Sequence, residues 1–204
     1  MYIKELFVFS IAAALFSCTS ESHQAVKYTV NETASEVRWK GIARDHFHIG
    51  IFSVYGELQA DNNGRITGGD FHIPIASIKN IDLKEPEKKV LLDDLKSANF
   101  FNLMKYPEAT FHVVRVEAFS GGDTTAIEGA NYLLSGDFTM LGQTHPLSFP
   151  FKVNNDSSGL NATAMFTLDR TQWGMNIYTD STKPLYIYPG VNILLTLRCS
   201  KRQG

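Results

Sequence analysis

The sequence of 204 residues is poor in cysteine and has no excess of charge of either sign. Its two cysteines, Cys18 and Cys199, leave room for at most one disulfide bond. The 19 basic and 21 acidic residues give a net charge of −2, which provides no basic field to attract nucleic acid. The sequence also lacks a Gly-x-Ser-x-Gly elbow and a phosphate-binding loop. We therefore expect no nucleic-acid partner and no catalytic residues, and predict that the protein is not an enzyme.

A long hydrophobic run is also missing, because the apolar stretch at residues 6–16 is too short to span a bilayer. It follows Lys4 and ends at Ser17–Cys18, which is typical of a signal-peptide core and resembles a bacterial lipobox. We predict that residues 1–17 are a signal peptide, that Cys18 becomes lipid-modified, and that residues 18–27 tether the protein to a membrane of the bacterial cell envelope. The alternative is an ordinary secretory signal, which would leave the protein soluble in the periplasm.

From Tyr28 onward, apolar and polar residues alternate with a period of two, which is the pattern of half-buried β-strands. The Asn63-Gly64 pair between two such segments is a strong β-hairpin signal. No internal repeat and no strand–helix–strand rhythm occurs, so we predict one all-β domain over residues 28–200. Cys199 ends the last strand, where we interpret it as a small buried hydrophobic residue. The alternation predicts about eight long strands, around residues 37–41, 52–58, 71–75, 111–115, 132–140, 147–153, 162–168 and 191–197.

One region interrupts the strand pattern. Residues 81–96 carry apolar residues among charges at the spacing of an amphipathic helix, and Pro86 suits its first turn. The overlapping segment Asp94–Phe111 is rich in large apolar side chains and does not alternate until after Pro107. Such a surface needs cover in an all-β protein, so we predict that this segment lies over the open end of a barrel or of a sandwich of two sheets. Eight antiparallel strands close a barrel wide enough to hold one small ligand.

Four segments of the chain resemble the YceI-like family, a lipocalin-like domain associated with polyisoprenoid binding. They cover about residues 28–199 and occur in the family's order. The four are Ser35–Gly41 with the sequence SEVRWKG, residues 94–111 with DLKSANFF and KYPEATF, residues 136–150 with GDFTMLG and THPLSFP, and residues 166–174 with FTLDR and WG.

The resemblance implies an eight-stranded antiparallel lipocalin-like β-barrel with a helical insertion and a long apolar pore. Members of the family are similar to carriers of isoprenoid-chain molecules, such as quinones, in the bacterial envelope. The expected function is therefore to hold a bound isoprenoid or quinone lipid, with no other cofactor. The expected lipid anchor favours a tethered holder over a shuttling carrier. Residues expected to line the pore are Trp39, Phe52, Phe71, Ile73, Phe111, Leu134, Phe149, Phe166 and Ile193, and those expected at its gate or rim are Phe100, Phe101, Leu103 and Trp173.

Other interpretations of the same residues stay open. His46 and His48 share one strand face at a spacing that can chelate zinc or copper, so a metal-dependent envelope enzyme is one alternative. The apolar stripes could also be a packed core, as in a solid-cored scaffold module. We interpret Asp169–Arg170 as a structural ion pair at a strand end, the alternatives being a catalytic pair or a ligand clamp. Trp173 either stacks on a ligand headgroup or packs on the barrel edge, and the oligomeric state stays open.

Overall fold

The computed structural model describes residues 25–122, 126–156 and 159–202. The expected signal peptide, Cys18 and most of the expected tether lie outside these residues. The first strand begins at Val26, so the last two residues of the segment 18–27 belong to the sheet. The strands and the helix within the described residues are β1 (Val26–Val30), β2 (Glu36–Ile42), β3 (Phe47–Phe52), β4 (Tyr55–Ala60), β5 (Ile66–Pro74), β6 (Lys79–Asn80), α1 (Glu87–Lys96), β7 (Glu108–Ala118), β8 (Tyr132–Met140), β9 (Gln143–Asp156), β10 (Gly159–Asp169) and β11 (Gly190–Lys201).

The strands close into one antiparallel barrel. β1 pairs with β4, and the order continues through β5, β7, β8, β9, β10 and β11, which pairs back onto β1. β2 pairs with β11 beyond the end of β1, and β3 pairs with β2. Thus β1–β2 and β3–β4 are two long strands that each bend once. Counted this way, the described part of the chain forms a ring of eight strands, and the predicted eight-stranded antiparallel barrel with a helical insertion is confirmed.

Local side-chain hydrogen bonds make the bend between β1 and β2. Asn31 Oδ1 accepts hydrogen bonds from the backbone N–H groups of Thr33 and Ala34, which closes an Asx-type turn. Ser35 Oγ then accepts a hydrogen bond of 2.9 Å from the backbone N–H of Arg198 on β11. β11 therefore keeps a hydrogen-bond partner at the point where the bend leaves the sheet.

A β-bulge in β7 corrects the alternation expected for that strand. Phe111 and Val113 face inward and are buried, as the alternation predicts. The pairing with β8 then shifts its register between Val113 and Arg115. Arg115 is consequently exposed and forms an ion pair with Glu117, while Val116 packs against the core. The expectation that Arg115 shares the face of Val113 is wrong, because one extra residue reverses the faces of the strand beyond it.

The inward faces of the strands form one apolar core inside the barrel. On β10, for example, Leu160, Ala162 and Ala164 are buried while the intervening residues are less covered. This follows from strand geometry, in which successive side chains point to opposite faces of the sheet. Cys199 is buried in the same core, as predicted, and burial raises the pKa of its thiol to about 11.

One end of the barrel, here called the mouth, is where β2, β8 and β10 end and β3, β7, β9 and β11 begin. Two segments lie over it. The first cover consists of α1 with residues 97–107, and the second cover consists of residues 170–189. α1 begins after Pro86 and is shorter than the predicted 81–96, because Asn80 Oδ1 accepts a 2.8 Å hydrogen bond from Leu83 N–H in a non-helical turn. Its leucines Leu92 and Leu95 pack on the core.

Residues 97–107 of the first cover fold back onto the end of α1 in consecutive turns. Phe101 N–H donates to the carbonyl of Leu95 at 3.0 Å, and Leu103 N–H donates to that of Lys96 at 3.1 Å. These bonds satisfy carbonyl groups that a helix end leaves without partners. The Ile75 N–H donates to the Pro107 carbonyl at 2.9 Å, which joins the far end of the cover to the end of β5. The apolar segment that interrupts the strand pattern thus lies at the mouth.

Candidate functional site

A cavity of about 160 Å³, here called the outer cavity, lies beneath the two covers at the mouth. The barrel strands form its wall, and the two covers form its roof. Nearly all of the lining is apolar. The lining residues are Val37, Trp39, Gly41, Ala43, His46, His48, Phe52, Ile73, Ile75, Ile78, Leu91, Leu95, Phe100, Phe101, Ala109, Phe138, Met140, Leu168, Arg170, Met175, Ile187, Val191 and Ile193.

A smaller cavity of about 60 Å³, the inner cavity, lies deeper in the barrel. Val37 and Ile193 border both cavities, so these two side chains mark the place where the cavities adjoin. The remaining lining of the inner cavity is apolar except for Thr163. It consists of Val54, Leu58, Phe71, Phe111, Leu134, Leu147, Phe149, Phe151, Ala162, Thr163, Phe166, Leu195 and Leu197.

Aromatic rings in the walls of both cavities lie against glycines. Trp39 faces Gly50 across the β2–β3 pair, and a Cβ atom on Gly50 would lie 2.4 Å from a carbon of the indole. A Cβ atom on Gly136 would likewise lie 2.6 Å from a ring carbon of Phe111. Glycine at these positions allows each ring to lie close to the backbone of the neighbouring strand. The cavity walls thus depend on missing side chains as much as on large ones.

The structure brings together the nine residues that sequence analysis expects to line a pore. Each of them borders at least one cavity. Trp39, Phe52 and Ile73 border the outer cavity, Phe71, Phe111, Leu134, Phe149 and Phe166 border the inner cavity, and Ile193 borders both.

The four residues expected at the gate or rim occupy three different environments. Phe100 is buried and Phe101 is half-buried, and both border the outer cavity. Phe101 also contacts Phe52 edge to face, with ring centroids 5.5 Å apart. Leu103 packs against the core without bordering either cavity. Trp173 is almost fully buried, and its indole N–H donates to the Phe138 carbonyl at 2.9 Å, so it packs against β8.

Arg170 holds the second cover in place from inside the barrel. Its guanidinium donates hydrogen bonds to the carbonyls of Met175, Ile177 and Ile187, the last two at 2.9 and 3.0 Å. Burial lowers the pKa of Arg170, but an arginine remains protonated at neutral pH. One buried cation therefore ties three points of the cover to the end of β10.

The prediction that Asp169 and Arg170 form an ion pair with each other is wrong. Asp169 Oδ1 instead accepts hydrogen bonds from the N–H and the hydroxyl of Thr171, at 3.0 and 2.6 Å. Arg170 binds only backbone carbonyls within the described residues. Both residues still have structural roles, because one begins the turn after β10 and the other anchors the cover.

His46 and His48 lie at the mouth with ring centroids 5.1 Å apart. The Nδ1 atom of His46 is 2.7 Å from Asp45 Oδ1, and the Nδ1 atom of His48 is 2.9 Å from Asp82 Oδ2. Each imidazole therefore has its own carboxylate partner. In the ranges that the structure describes, no group of three or more histidines, cysteines or acidic residues is arranged to hold a metal ion. Within these ranges, the metal alternative therefore has no third ligand beside His46 and His48.

Asp82 links His48 to the backbone at the mouth. Its Oδ1 atom accepts hydrogen bonds from Ile49 N–H at 2.7 Å and from the Asn80 amide at 2.6 Å. Burial raises the pKa of Asp82, but the hydrogen bonds from His48, Ile49 and Asn80 outweigh burial and hold the pKa below its usual range. The folded protein therefore favours the ionised carboxylate at this position.

Comparison with known proteins identifies the barrel. The sequence model of one family, described as the YceI-like domain, matches residues 28–198. The chain belongs to the YceI-like family. A UPF0312 protein of Pseudomonas putida (strain GB-1) is 31% identical over 139 residues, which cover 60% of this chain and 65% of that relative, less than two thirds of its length.

Solved structures share the fold of this YceI-like chain. BcnA of Burkholderia cenocepacia superposes with a TM-score of 0.66 at 19% sequence identity, over 82% of this chain and 98% of BcnA. The YCEI protein of Campylobacter jejuni superposes with a TM-score of 0.55 at 16% identity, over 76% of this chain and 85% of that protein. These similarities show the common barrel. The described part of this YceI-like chain contains no helix of the length and apolarity needed to cross a membrane.

Sequence reasoning misses the second cover of this YceI-like barrel. Residues 174–189 do not alternate, and nothing in their spacing indicates that Met175 and Ile187 border the outer cavity. The sequence points to Arg170 but not to its partners, because backbone carbonyls leave no signal in a sequence. The one available signal is a charged residue that directly follows a strand with regular alternation, since buried charges require specific partners.

Proposed function

We propose that this chain is a non-enzymatic binding protein that holds the apolar chain of an amphiphile, such as an isoprenoid or quinone-like lipid, inside its barrel. The observation that carries the proposal is the outer cavity, an apolar space at one end of a closed barrel beneath two covers. Ligand sites in proteins are typically concave and mostly apolar, with a few placed polar groups. Membership of the YceI-like family is consistent with an apolar small molecule as the partner.

The cavity volumes limit how much of such a ligand fits in this conformation. The outer cavity, at about 160 Å³, is close in size to a protein cavity of about 150 Å³ that binds benzene. It therefore has room for one ring or for the first few carbons of a chain. The inner cavity adds about 60 Å³ beyond Val37 and Ile193. A longer chain fits only if these two side chains separate or the covers move. We propose that both changes accompany lipid entry.

Burial of an isoprenoid chain supplies enough free energy for binding without an ionic partner. At about 0.8 kcal/mol for each buried CH2 group, a five-carbon isoprene unit contributes about 4 kcal/mol. Association and ordering oppose this by about 4–15 kcal/mol. Four buried units, at about 16 kcal/mol, exceed the whole of this range, whereas a single unit in the outer cavity only reaches its lower end.

We also propose that the protein works at the bacterial cell envelope, held to a membrane by a lipid-modified Cys18. β1 begins at the end of the barrel opposite the mouth, because Val26 pairs with Ala60 while the mouth lies at the end of β2. The residues between Cys18 and Val26 reach at most about 30 Å when fully extended. The mouth would then point away from the anchoring membrane, which suits a tethered holder. The alternative location is the periplasm, as a soluble protein.

Native mass spectrometry of the protein purified from its source membrane tests the proposed function. We expect a co-purifying lipid, or uptake of an added long-chain quinone by protein from which lipid has been removed. A clean mass of the protein without a ligand, together with no uptake of added quinones or other isoprenoid lipids, would contradict the proposal. That result would favour a solid-cored scaffold module.

A pair of matched substitutions shows whether bound lipid occupies the outer cavity. Ala43 is buried and borders this cavity, so Ala43→Phe places a ring inside it. Val114 is exposed on the outer surface of β7, so Val114→Phe adds the same ring outside the barrel. We expect lipid uptake to fall at least about tenfold in the first variant and to persist in the second. Equal uptake by both folded variants would place the lipid elsewhere.

A further inference from the structure

The end of β2 and part of the second cover run side by side at the rim of the mouth. Ala43 forms a β-bridge with Ile187 of the second cover. The N–H of Tyr188 donates to the carbonyl of Ile42 at 2.9 Å. Ala43 and Ile187 both border the outer cavity. Because successive residues of an extended chain point to opposite faces, Ile42 and Tyr188 point away from the cavity.

Three aromatic rings on this outer side, those of Phe47, Tyr186 and Tyr188, form what is here called the aromatic corner. Phe47 pairs with Ile42 across β2 and β3. The rings of Tyr186 and Tyr188 contact each other, with centroids 5.0 Å apart. Phe47, Tyr188 and the adjacent Leu185 are 48%, 47% and 44% exposed. Large apolar side chains that stay exposed together mark sites of contact with a partner or a membrane.

Cations accompany these rings. The Nζ atom of Lys40 lies 4.2 Å from the centroid of the Phe47 ring, and the guanidinium carbon of Arg44 lies 5.8 Å from that of Tyr186. Lys183 belongs to the same stretch of the second cover. Within the part of the chain that the structure describes, Lys40, Arg44 and Lys183 form no ion pair with a carboxylate. Their charges are therefore available to an anionic partner.

The charge of the mouth is opposite in sign to that of the whole chain. The segments that build it are residues 40–48, 79–107 and 170–189. Apart from the buried Arg170, they contain nine lysines and arginines against seven aspartates and glutamates, a net charge of +2 in a chain whose total is −2. The mouth is therefore the end of the barrel that attracts an anionic surface.

We propose that the aromatic corner docks the mouth on the surface of an anionic lipid bilayer. Aromatic rings together with lysine and arginine are typical of protein surfaces at the membrane interface, where rings lie among head groups and cations meet anionic lipids. The neighbouring residues on the inner face line the outer cavity, so docking places this cavity next to the bilayer. A lipid then passes between the bilayer and the barrel without crossing water. The inference goes beyond the proposed function and rests on it only for this last step.

The proposed anchor lies away from this surface. β1 begins at the end of the barrel opposite the mouth, so a lipid-modified Cys18 would hold that opposite end. A docked mouth would then contact a second bilayer that faces the anchoring one.

Site-specific fluorescence shows which end of the barrel meets a bilayer. The label is nitrobenzoxadiazole on Ser181→Cys, an exposed position beside the aromatic corner, or on Asn62→Cys, an exposed position in the β4–β5 turn at the far end. Both are made in a full chain with Cys18→Ser, where the buried Cys199 resists labelling. Vesicles contain phosphatidylglycerol with phosphatidylcholine, or phosphatidylcholine alone. Comparing the two compositions cancels any contribution of the apolar residues 6–16.

We expect the label on Ser181→Cys to shift its emission to the blue on anionic vesicles and much less on neutral ones, whereas the label on Asn62→Cys should not distinguish them. Added to the first chain, Lys40→Gln should weaken binding to anionic vesicles about fivefold, as for one cation near an anionic surface. Phe47→Ser should also weaken it, because an exposed ring is lost. The matched control Met165→Ser removes a side chain that is 45% exposed on β10 and should change binding less than about twofold.

Three results would overturn the inference: no response to anionic vesicles, an equal response of both labels, or equal losses in Phe47→Ser and Met165→Ser. A blue shift that grows with protein concentration in the absence of vesicles would overturn it as well, because it assigns the aromatic corner to contact between copies of this chain. Failure to dock leaves quinone uptake in native mass spectrometry unchanged. Absence of that uptake in a chain that docks overturns only the proposed function.

Discussion

The contact between Trp39 and Gly50 provides the sharpest test of how the outer cavity is built. A Cβ atom on Gly50 would lie 2.1 Å from the carbonyl oxygen of Lys79 and 2.4 Å from the indole of Trp39. Ordinary van der Waals contact begins at about 3.4 Å. In Gly50→Ala, both the Lys79 carbonyl in β6 and the indole must therefore move by about an ångström. We expect the variant to weaken the β3–β6 pairing and to displace Trp39.

The expected loss of stability follows from these overlaps. Overpacking a core by one methyl group costs about 1–3 kcal/mol. Disruption of the hydrogen bonds around Lys79 and Asn80 adds about 1 kcal/mol. A loss of about 2–4 kcal/mol corresponds to a decrease in Tm of roughly 5–15 °C for a domain of this size.

Gly41→Ala is the matched control on the neighbouring strand. Gly41 also borders the outer cavity, but the nearest atom to a Cβ there would be a Trp39 ring carbon at 3.9 Å. The free energy of unfolding of this variant should lie within about 1 kcal/mol of that of the wild type, with a small gain because alanine makes the unfolded chain less flexible. Thermal unfolding followed by circular dichroism, with tryptophan emission as a second probe, measures both variants. Equal Tm values for Gly50→Ala and Gly41→Ala would refute the reasoning.

Three further outcomes follow from the structure. Phe101→Ala should keep the fold and lose about 2 kcal/mol of stability, because the contact of Phe101 with Phe52 is removed. The variant should release bound lipid faster in a stopped-flow assay. Loss of the fold would show that Phe101 only packs the end of the barrel and does not control lipid release. In a folded Cys18→Ser chain at pH 8, Cys199 should react with iodoacetamide at least about 100-fold more slowly than in the same chain unfolded by urea. The reason is that burial raises the pKa of its thiol to about 11. Equal rates would show that the thiol is accessible. Because the pKa of Asp82 is lowered in the folded state, its carboxylate stabilises the fold at pH values above the usual aspartate pKa near 4, and this contribution is lost as pH falls through the folded-state pKa. Between pH 5 and pH 2, urea titrations should therefore show a smaller loss of stability for Asp82→Asn than for the wild type. Parallel losses in the two proteins would contradict the assignment.

The direction of most side chains in the barrel could be predicted from the sequence. The period of two assigns Trp39, Phe71 and Leu134 to the inside because successive residues of a strand point to opposite faces. It failed at Arg115, because the bulge before it is set by the pairing of β7 with β8 and Val114 carries no signal of it. The apolar segment Asp94–Phe111 was also recognisable, since its apolar side chains fit no strand and had to be covered.

The sequence by itself determined which side chains of each strand face an apolar interior, because alternation is a local property of the backbone that each strand expresses separately. The closed barrel was implied by the resemblance to the YceI-like family, since alternation alone also allows two packed sheets. Only the tertiary structure decided whether that inside is filled. Cavity volume depends on where rings meet glycines across strands, as Trp39 meets Gly50, and on how the second cover is held by Arg170. These contacts join residues that are distant along the chain, and packing fixes them only when all strands are in place.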